Sequence, residues 1–336
     1  MNPASARVCG RLAFGVEDQY RLGAVRILFI TATRLGDAVL STGLLARLLV
    51  AYPEARITVA CGPVAAGIFA HMPRLDRVLV VEKRRLDLHW AALWGRVVWS
   101  VWDLVVDLRG SALSLALLAR RRVIMRGGRR PGHRLTHMAA AAGMKGGLFP
   151  AVWTGAEDRG LAAELLPDGA VVIGLGPTAN WAGKIWPADR FVSLARALSL
   201  RLPGARVAVF GGPGPTERAA AAEVLAKLPA AIDLVGRLSL PQAAACLARC
   251  ALFIGNDSGL MHLSAASGAA TLGLFGPTPS SEYAPVGRRA AVVEAVGVPG
   301  AAPMDALSVP MALSAAIDLL RREGLLAGMD TETPVP

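Results

Sequence analysis

A carboxylate, a hydroxyl and a glycine stand together at Asp257-Ser258-Gly259, and an imidazole follows at His262. The apolar run from Ala251 to Ile254 reads as a buried parallel strand, and Leu260 to Ser267 as a short helix. At a helix N-terminus, the backbone N–H groups of Ser258 and Gly259 suit a phosphate or diphosphate. Asp257 can accept from sugar hydroxyls, and His262 lies one turn further along. For an isolated Asp-Ser-Gly, helix capping is the commoner explanation. The neighbouring loops carry matching chemistry.

One of these loops is Gly176 to Trp186, after a strand read at Ala170 to Leu175. It ends Lys184-Ile185-Trp186-Pro187, where Pro187 suits the start of a helix over 187–202. A lysine there can meet a departing diphosphate. The other is Ala32 to Asp37, between the strand Val25 to Thr31 and a helix read over Ala38 to Ala51. Asp37 stands where a helix dipole favours negative charge, and a carboxylate there can take a proton. A third pattern, Gly174 to Ala179, has the form G-x-G-x-x-A of dinucleotide sites. The predicted helix begins well beyond it and no acid lies about 20 residues on, so a nicotinamide dehydrogenase is discounted.

Stepping outward, all three loops follow apolar strands at their carboxyl ends, where open α/β sheets bind ligands. Further strands are predicted at Arg56 to Ala60, Val78 to Val81, Leu104 to Asp107, Arg206 to Phe210 and Thr271 to Phe275. Pro53, Ala55, Arg56, Val59, Gly62 and Pro63 recur 150 positions later as Pro203, Ala205, Arg206, Val209, Gly212 and Pro213. Two domains sharing one βαβ frame explain the repeat. The expected organisation is an extension over 1–24, a first domain over 25–150 and a link over 151–169. A second domain follows over 170–325, then a tail over 326–336.

The chain has 336 residues, of which 54% are hydrophobic and 18% charged, as expected of a globular protein of two domains. A net charge of +11 points to an anionic partner. Seven arginines and no acid fall between Arg120 and Arg134. No aromatic residue interrupts them, which argues against base stacking and nucleic acid; phosphates on a saccharide or anionic lipid headgroups fit better. Cys9, Cys61, Cys246 and Cys250 form no C-x-x-C and read as buried thiols of a reducing compartment. His133 and His137 lack the partners of a zinc site. With no apolar leader or uninterrupted membrane span legible, the expected location is cytoplasmic, with peripheral contact at the inner membrane surface.

Asp257 to His262, with Phe275-Gly276-Pro277-Thr278, resembles the C-terminal signature of glycosyltransferase family 9, the ADP-heptose:lipopolysaccharide heptosyltransferases. Arg34-Leu35-Gly36-Asp37, Lys184 to Pro187, Phe210 to Glu217, Gly236 to Leu240 and the run Trp102 to Ser111 resemble further family segments. The resemblance implies a GT-B α/β fold, with two Rossmann-like domains facing a central cleft. It implies inverting transfer of a sugar, with ADP-heptose as leading donor, onto a lipopolysaccharide-core type acceptor. Asp37 would be the general base. Thr178, Asn180, Lys184, Glu217 (toward the ribose), Asp257, Ser258, Gly259 and His262 would contact the donor. Arg34, Arg109, Arg120, Arg126 and Arg130 would meet the acceptor. No cofactor or metal is expected, because no D-x-D with strand–turn context is present. The alternatives are a transferase for another nucleotide sugar, or a non-catalytic binding protein of the same fold.

Overall fold

Apolar runs closed by glycine and proline become parallel strands throughout this chain. The computed structural model describes residues 25–125 and 131–326. Its contacts separate two units, Met1–Pro150 and Ala151–Pro336. The 1–24 extension, Arg126, Arg130 and all of the 326–336 tail except Leu326 lie outside the described residues.

In the first unit the strands are β1 (Arg26–Ile30), β2 (Arg56–Cys61), β3 (Leu75–Val80), β4 (Trp102–Asp107) and β5 (Ala119–Ile124). They form one sheet in the order β3-β2-β1-β4-β5, every pair parallel. Its helices are α1 (Leu35–Ala51), α2 (Leu88–Val97) and α3 (Arg134–Ala141). α1 packs with α3, while α2 lies beside the 3₁₀ segment Ala112–Ala116. β5 was not legible as a strand because Arg120, Arg121 and Arg122 occupy half of it. Those charges sit on the sheet edge, where they discourage pairing with another chain.

The second unit opens with α4 (Ala156–Leu165), inside the stretch read from sequence as a link. It then runs β6 (Val172–Gly176), α5 (Ala188–Arg201), β7 (Arg206–Val209), α6 (Pro215–Lys227), β8 (Ile232–Asp233) and α7 (Leu240–Ala248). It finishes with β9 (Leu252–Asn256), α8 (Gly259–Ala266), β10 (Thr271–Phe275), α9 (Ser280–Tyr283), β11 (Ala290–Glu294) and α10 (Val309–Arg322). The link expectation is corrected here. α4 packs on α7, and Arg249 donates to the Leu166 carbonyl and, at 2.6 Å, to Asp168. Small residues and Gly160 mask the period of this helix. The sheet order is β11-β10-β9-β6-β7-β8, again parallel at every pair. Strands β6, β9 and β10 are buried along their whole length, which is why they read as unbroken apolar runs.

Counted within its own unit, each sheet has the doubly wound order 3-2-1-4-5, with a sixth strand in the second. The 150-residue repeat has a matching backbone. Tyr52 N–H donates to Leu48 and Ala55 N–H to Tyr52; Leu202 donates to Leu198 and Ala205 to Leu202 in the same pattern. Arg56 and Arg206 then enter the sheet by donating to Val25 and Val171, each at 2.8 Å. Gly62 is required where β2 leaves the sheet, since a Cβ there would lie 2.6 Å from Thr33 Cα.

Candidate functional site

Strand order fixes where a ligand can sit. In each sheet the order reverses between the first and fourth strands, and their following loops diverge to leave a crevice. In the second unit these strands are β6 and β9, whose loops carry Lys184 and Asp257. The first unit uses β1 and β4, whose loops carry Arg34, Asp37 and Arg109.

The second-unit loops are tied together by buried polar contacts. Trp186 is fully buried; its backbone N–H donates to Asn256 Oδ1 at 3.1 Å and its Nε1 to the Leu307 carbonyl at 2.8 Å. That anchor explains the spacing of Lys-Ile-Trp-Pro. With Trp186 pinned to Asn256, Lys184 two residues earlier comes opposite Asp257, one residue after Asn256. Lys184 Nζ lies 2.6 Å from Asp257 Oδ2, and Thr278 Oγ1 donates to the same oxygen at 2.8 Å. Asp257 is 5% exposed, so its charge is held by this pair and hydroxyl rather than by water.

Helix α8 begins immediately after Asp257, with Ser258 as its N-cap in extended conformation. Neither Ser258 nor Asp257 caps it: no side-chain hydrogen bond closes this end, and Asp257 is engaged elsewhere. Ser258 Oγ and Asn256 Nδ2 are buried with no hydrogen-bond partner in the protein, which leaves both able to meet a ligand or water. His262 is buried in the next turn. The arrangement offers an anion free N–H groups, a lysine ammonium and a serine hydroxyl.

Other donor-side residues are placed more loosely. Thr178 is buried and its methyl carbon faces Gly211 on the loop after β7, whereas Asn180 is exposed. Glu217 lies in the first turn of α6, its carboxylate accepting from the Gly212 backbone. Partial burial raises its pKa, and the Gly212 hydrogen bond opposes that rise. A Cβ on Gly212 would displace the Glu217 carboxylate from this position. The G-x-G-x-x-A pattern has a packing cause: a Cβ on Gly176 would strike the Phe253 ring at 2.5 Å. No helix starts at this glycine turn, since α5 begins at Ala188.

In the first unit Asp37 sits in the first turn of α1, half-buried, with Oδ1 3.8 Å from Arg134 Nε. Sequence reasoning placed Arg134 within the arginine run and gave it no role. Almost a hundred residues separate the pair, and only the packing of α3 on α1 joins them. Thr278 was likewise quoted as signature and missed as a contact. Arg109 is exposed, with its guanidinium 5.7 Å from the centre of the Trp90 ring. The buried Asp107 shapes its loop, accepting from Arg109 N, Ser111 N and Ser111 Oγ. Arg34 is the exposed residue before α1.

Arg120 does not join this group. It stands at the amino end of β5, opposite the crevice edge, and its Nε lies 3.4 Å from Asp103 Oδ1. Among the described residues of the run, Arg122 holds the carbonyls of Ser114, Leu117 and Ala119, and Arg134 meets Asp37. His133 caps α3 by accepting from Leu135 N, and His137 Nε2 contacts the Pro131 carbonyl at 3.0 Å. Among the described residues no group of three or more His, Cys, Asp or Glu could hold a metal ion. Cys61 and Cys246 are buried thiols pushed up to about 12 and about 11 by desolvation. Among the described residues no helix is long and apolar enough to cross a membrane.

Fold and loops together define a doubly wound α/β protein with a nucleotide-type crevice in its second unit. Residues 154–304 match the model of glycosyltransferase family 9 (heptosyltransferase). Over those residues, a little under half of the chain, the sequence is similar to that family. Lipooligosaccharide heptosyltransferase 2 of Haemophilus influenzae is 31% identical over 131 residues, 37% of each chain. Lipopolysaccharide heptosyltransferase 2 of Escherichia coli K12 is 32% identical over 131 residues, 37% of this chain and 36% of that one. The matched stretch thus spans little more than a third of these curated relatives. Solved structures extend the likeness in fold. The glycosyl transferase family 9 protein of Veillonella parvula aligns with a TM-score of 0.75 at 23% identity, covering 89% of this chain and 97% of that one. E. coli ADP-heptose lps heptosyltransferase II aligns at 0.72 and 21%, covering 89% and 100%.

Proposed function

We propose that this chain is an inverting glycosyltransferase that takes heptose from ADP-heptose and places it on a hydroxyl of a lipopolysaccharide-core type acceptor. The observation that carries the reading is the Lys184–Asp257–Thr278 group beside the open N-terminus of α8, within the family-matched segment. Heptosyltransferase names among the relatives supply the sugar and acceptor class.

In the reaction the acceptor oxygen attacks the anomeric carbon opposite the diphosphate. The bond from that carbon to the diphosphate oxygen breaks, and its electron pair leaves with ADP. Asp37 takes the acceptor proton. Lys184 and the N–H groups of α8 meet the charge growing on the diphosphate, which accelerates the step only as far as they bind it better in the transition state. Asp257 holds Lys184 in place, and Glu217 is given the ribose in this reading. No metal or cofactor is invoked. Arg34 and Arg109 are the acceptor contacts kept in this reading, and the acceptor is met at the cytoplasmic surface of the inner membrane.

The test is isothermal titration of ADP-heptose with a transfer assay on a core-type saccharide, with and without EDTA. Binding with transfer that survives chelation is expected. Binding without transfer leaves a sugar-nucleotide binding protein; magnesium-restored activity shows that a cation replaces the role given to Lys184.

A further inference from the structure

The outer layer of the first unit carries an apolar face that neither its core nor its crevice uses. Helix α2 turns His89, Leu93 and Val97 inward, and Leu113 and Leu117 of the neighbouring segment join the same core. What remains outside is large and apolar. Trp99 is 91% exposed, Leu115 69% and Leu118 64%, with Trp94 and Val101 about half exposed. Trp94 Nε1 donates to the Ala116 carbonyl at 3.1 Å, which places α2 against the Leu115 segment. Trp102 N–H donates to the Leu118 carbonyl, which sets Val101 beside Leu118. A cluster of this kind in contact with water marks an interaction surface.

Its rim is basic, although Arg120 is paired with Asp103. Residues 88–101 and 112–125 contain four arginines and no acid. Arg96 is exposed at the last turn of α2, and Arg120 and Arg122 are exposed on β5. Arg122 donates to three neutral carbonyls, which leaves its charge available to an outside anion.

We propose that this face docks the first unit on an anionic lipid bilayer. Indole rings with aliphatic neighbours settle at the level of lipid headgroups, and arginines beside them meet the phosphates. A second copy of the chain fits less well, since a two-fold contact would press this arginine rim against itself. The inference deepens the membrane contact of the proposed function, on which it rests, by naming the surface that would make it; it needs no sugar substrate to be examined.

The experiment is flotation of the full chain with vesicles of phosphatidylcholine, alone or with about a quarter phosphatidylglycerol. Wild type is expected to float with the anionic vesicles, less at higher salt and less with neutral ones. Trp99→Ser with Leu115→Ser should lower that partition about tenfold or more, because two apolar side chains no longer leave water. Their exposure predicts an unchanged melting curve; Trp99→Ser alone serves if the pair misfolds, and should also reduce flotation. The proposal is overturned if wild type stays in solution, if the variants float like wild type, or if both vesicle types bind equally. Self-association of wild type that the variants abolish also overturns it, by assigning the face to a second copy.

Discussion

The two units share a frame and hold their crevice loops in different ways. In the second, Trp186, Asn256, Lys184, Asp257 and Thr278 bind the β6, β9 and β10 loops through buried hydrogen bonds. In the first, Asp37 meets Arg134 at 3.8 Å on a half-exposed surface, and Arg109 rests on Trp90 in solvent. The family match covers 154–304 and stops short of Asp37 and Arg109. A rigid, partly desolvated set of donors suits a ligand part that never changes, such as a diphosphate. A looser, solvated set suits a partner that varies. The contrast agrees with the proposed function, in which the second unit recognises the donor and the first removes the proton and meets the acceptor.

The contrast breaks most visibly at Asp37. In Asp37→Asn the helix start is kept, but the proton acceptor is lost. Turnover is expected to fall by roughly 10²–10⁴ with donor affinity unchanged in titration calorimetry. A fall in donor affinity of the same size would place Asp37 on the donor side.

Lys184→Ala should act on both quantities, and on stability. Donor affinity and turnover fall together, and Asp257 is left buried with the Thr278 hydroxyl but without its cation. Denaturant melts should show a loss of about 1–3 kcal/mol, less than for a fully buried pair because Lys184 keeps some water. Asp257→Asn in the same chain should return part of that stability and none of the affinity. A smaller effect is expected from Trp186→Phe, which removes the bond to the Leu307 carbonyl for about 1 kcal/mol. Donor affinity should drop with it as the Lys184 loop loosens; a stability loss with full affinity would detach the anchor from the site.

Glu217→Gln should have the least effect. Burial raises the wild-type carboxyl's pKa in the folded state, so folding resists its ionisation. The stability this group has in its protonated form is complete below its unfolded pKa of about 4.3 and declines as pH rises through the higher folded value. The glutamine variant escapes that decline and should match wild type near pH 4 and melt slightly higher at pH 7. If the ribose role holds, it binds donor more weakly over the same range.

Legibility in the sequence followed the same division. The strands β1, β2, β6, β9 and β10 are apolar and buried, and could be read directly, as could the loops that follow them. The 150-residue repeat anticipated paired hydrogen bonds at Tyr52 and Leu202. β5 was hidden by its edge arginines, β8 by its two-residue length, and α4 by a composition poor in large apolar residues. Lys184 and Asp257 were each picked out, but their contact across 73 positions was not. Arg134 and Thr278 act through partners far away in the chain, and no local pattern marks such residues. Arg120 looked like its neighbours in sequence and differs only by standing at the other end of a strand.

Hydrogen exchange on the full chain, with and without saturating ADP, tests the central assignment most directly. Protection is expected in peptides covering 178–187 and 256–263, with no change in those covering 31–40 and 107–112. Protection centred on the Asp37 loop, with the Lys184 and α8 peptides unaltered, would contradict the assignment of the donor to the second unit.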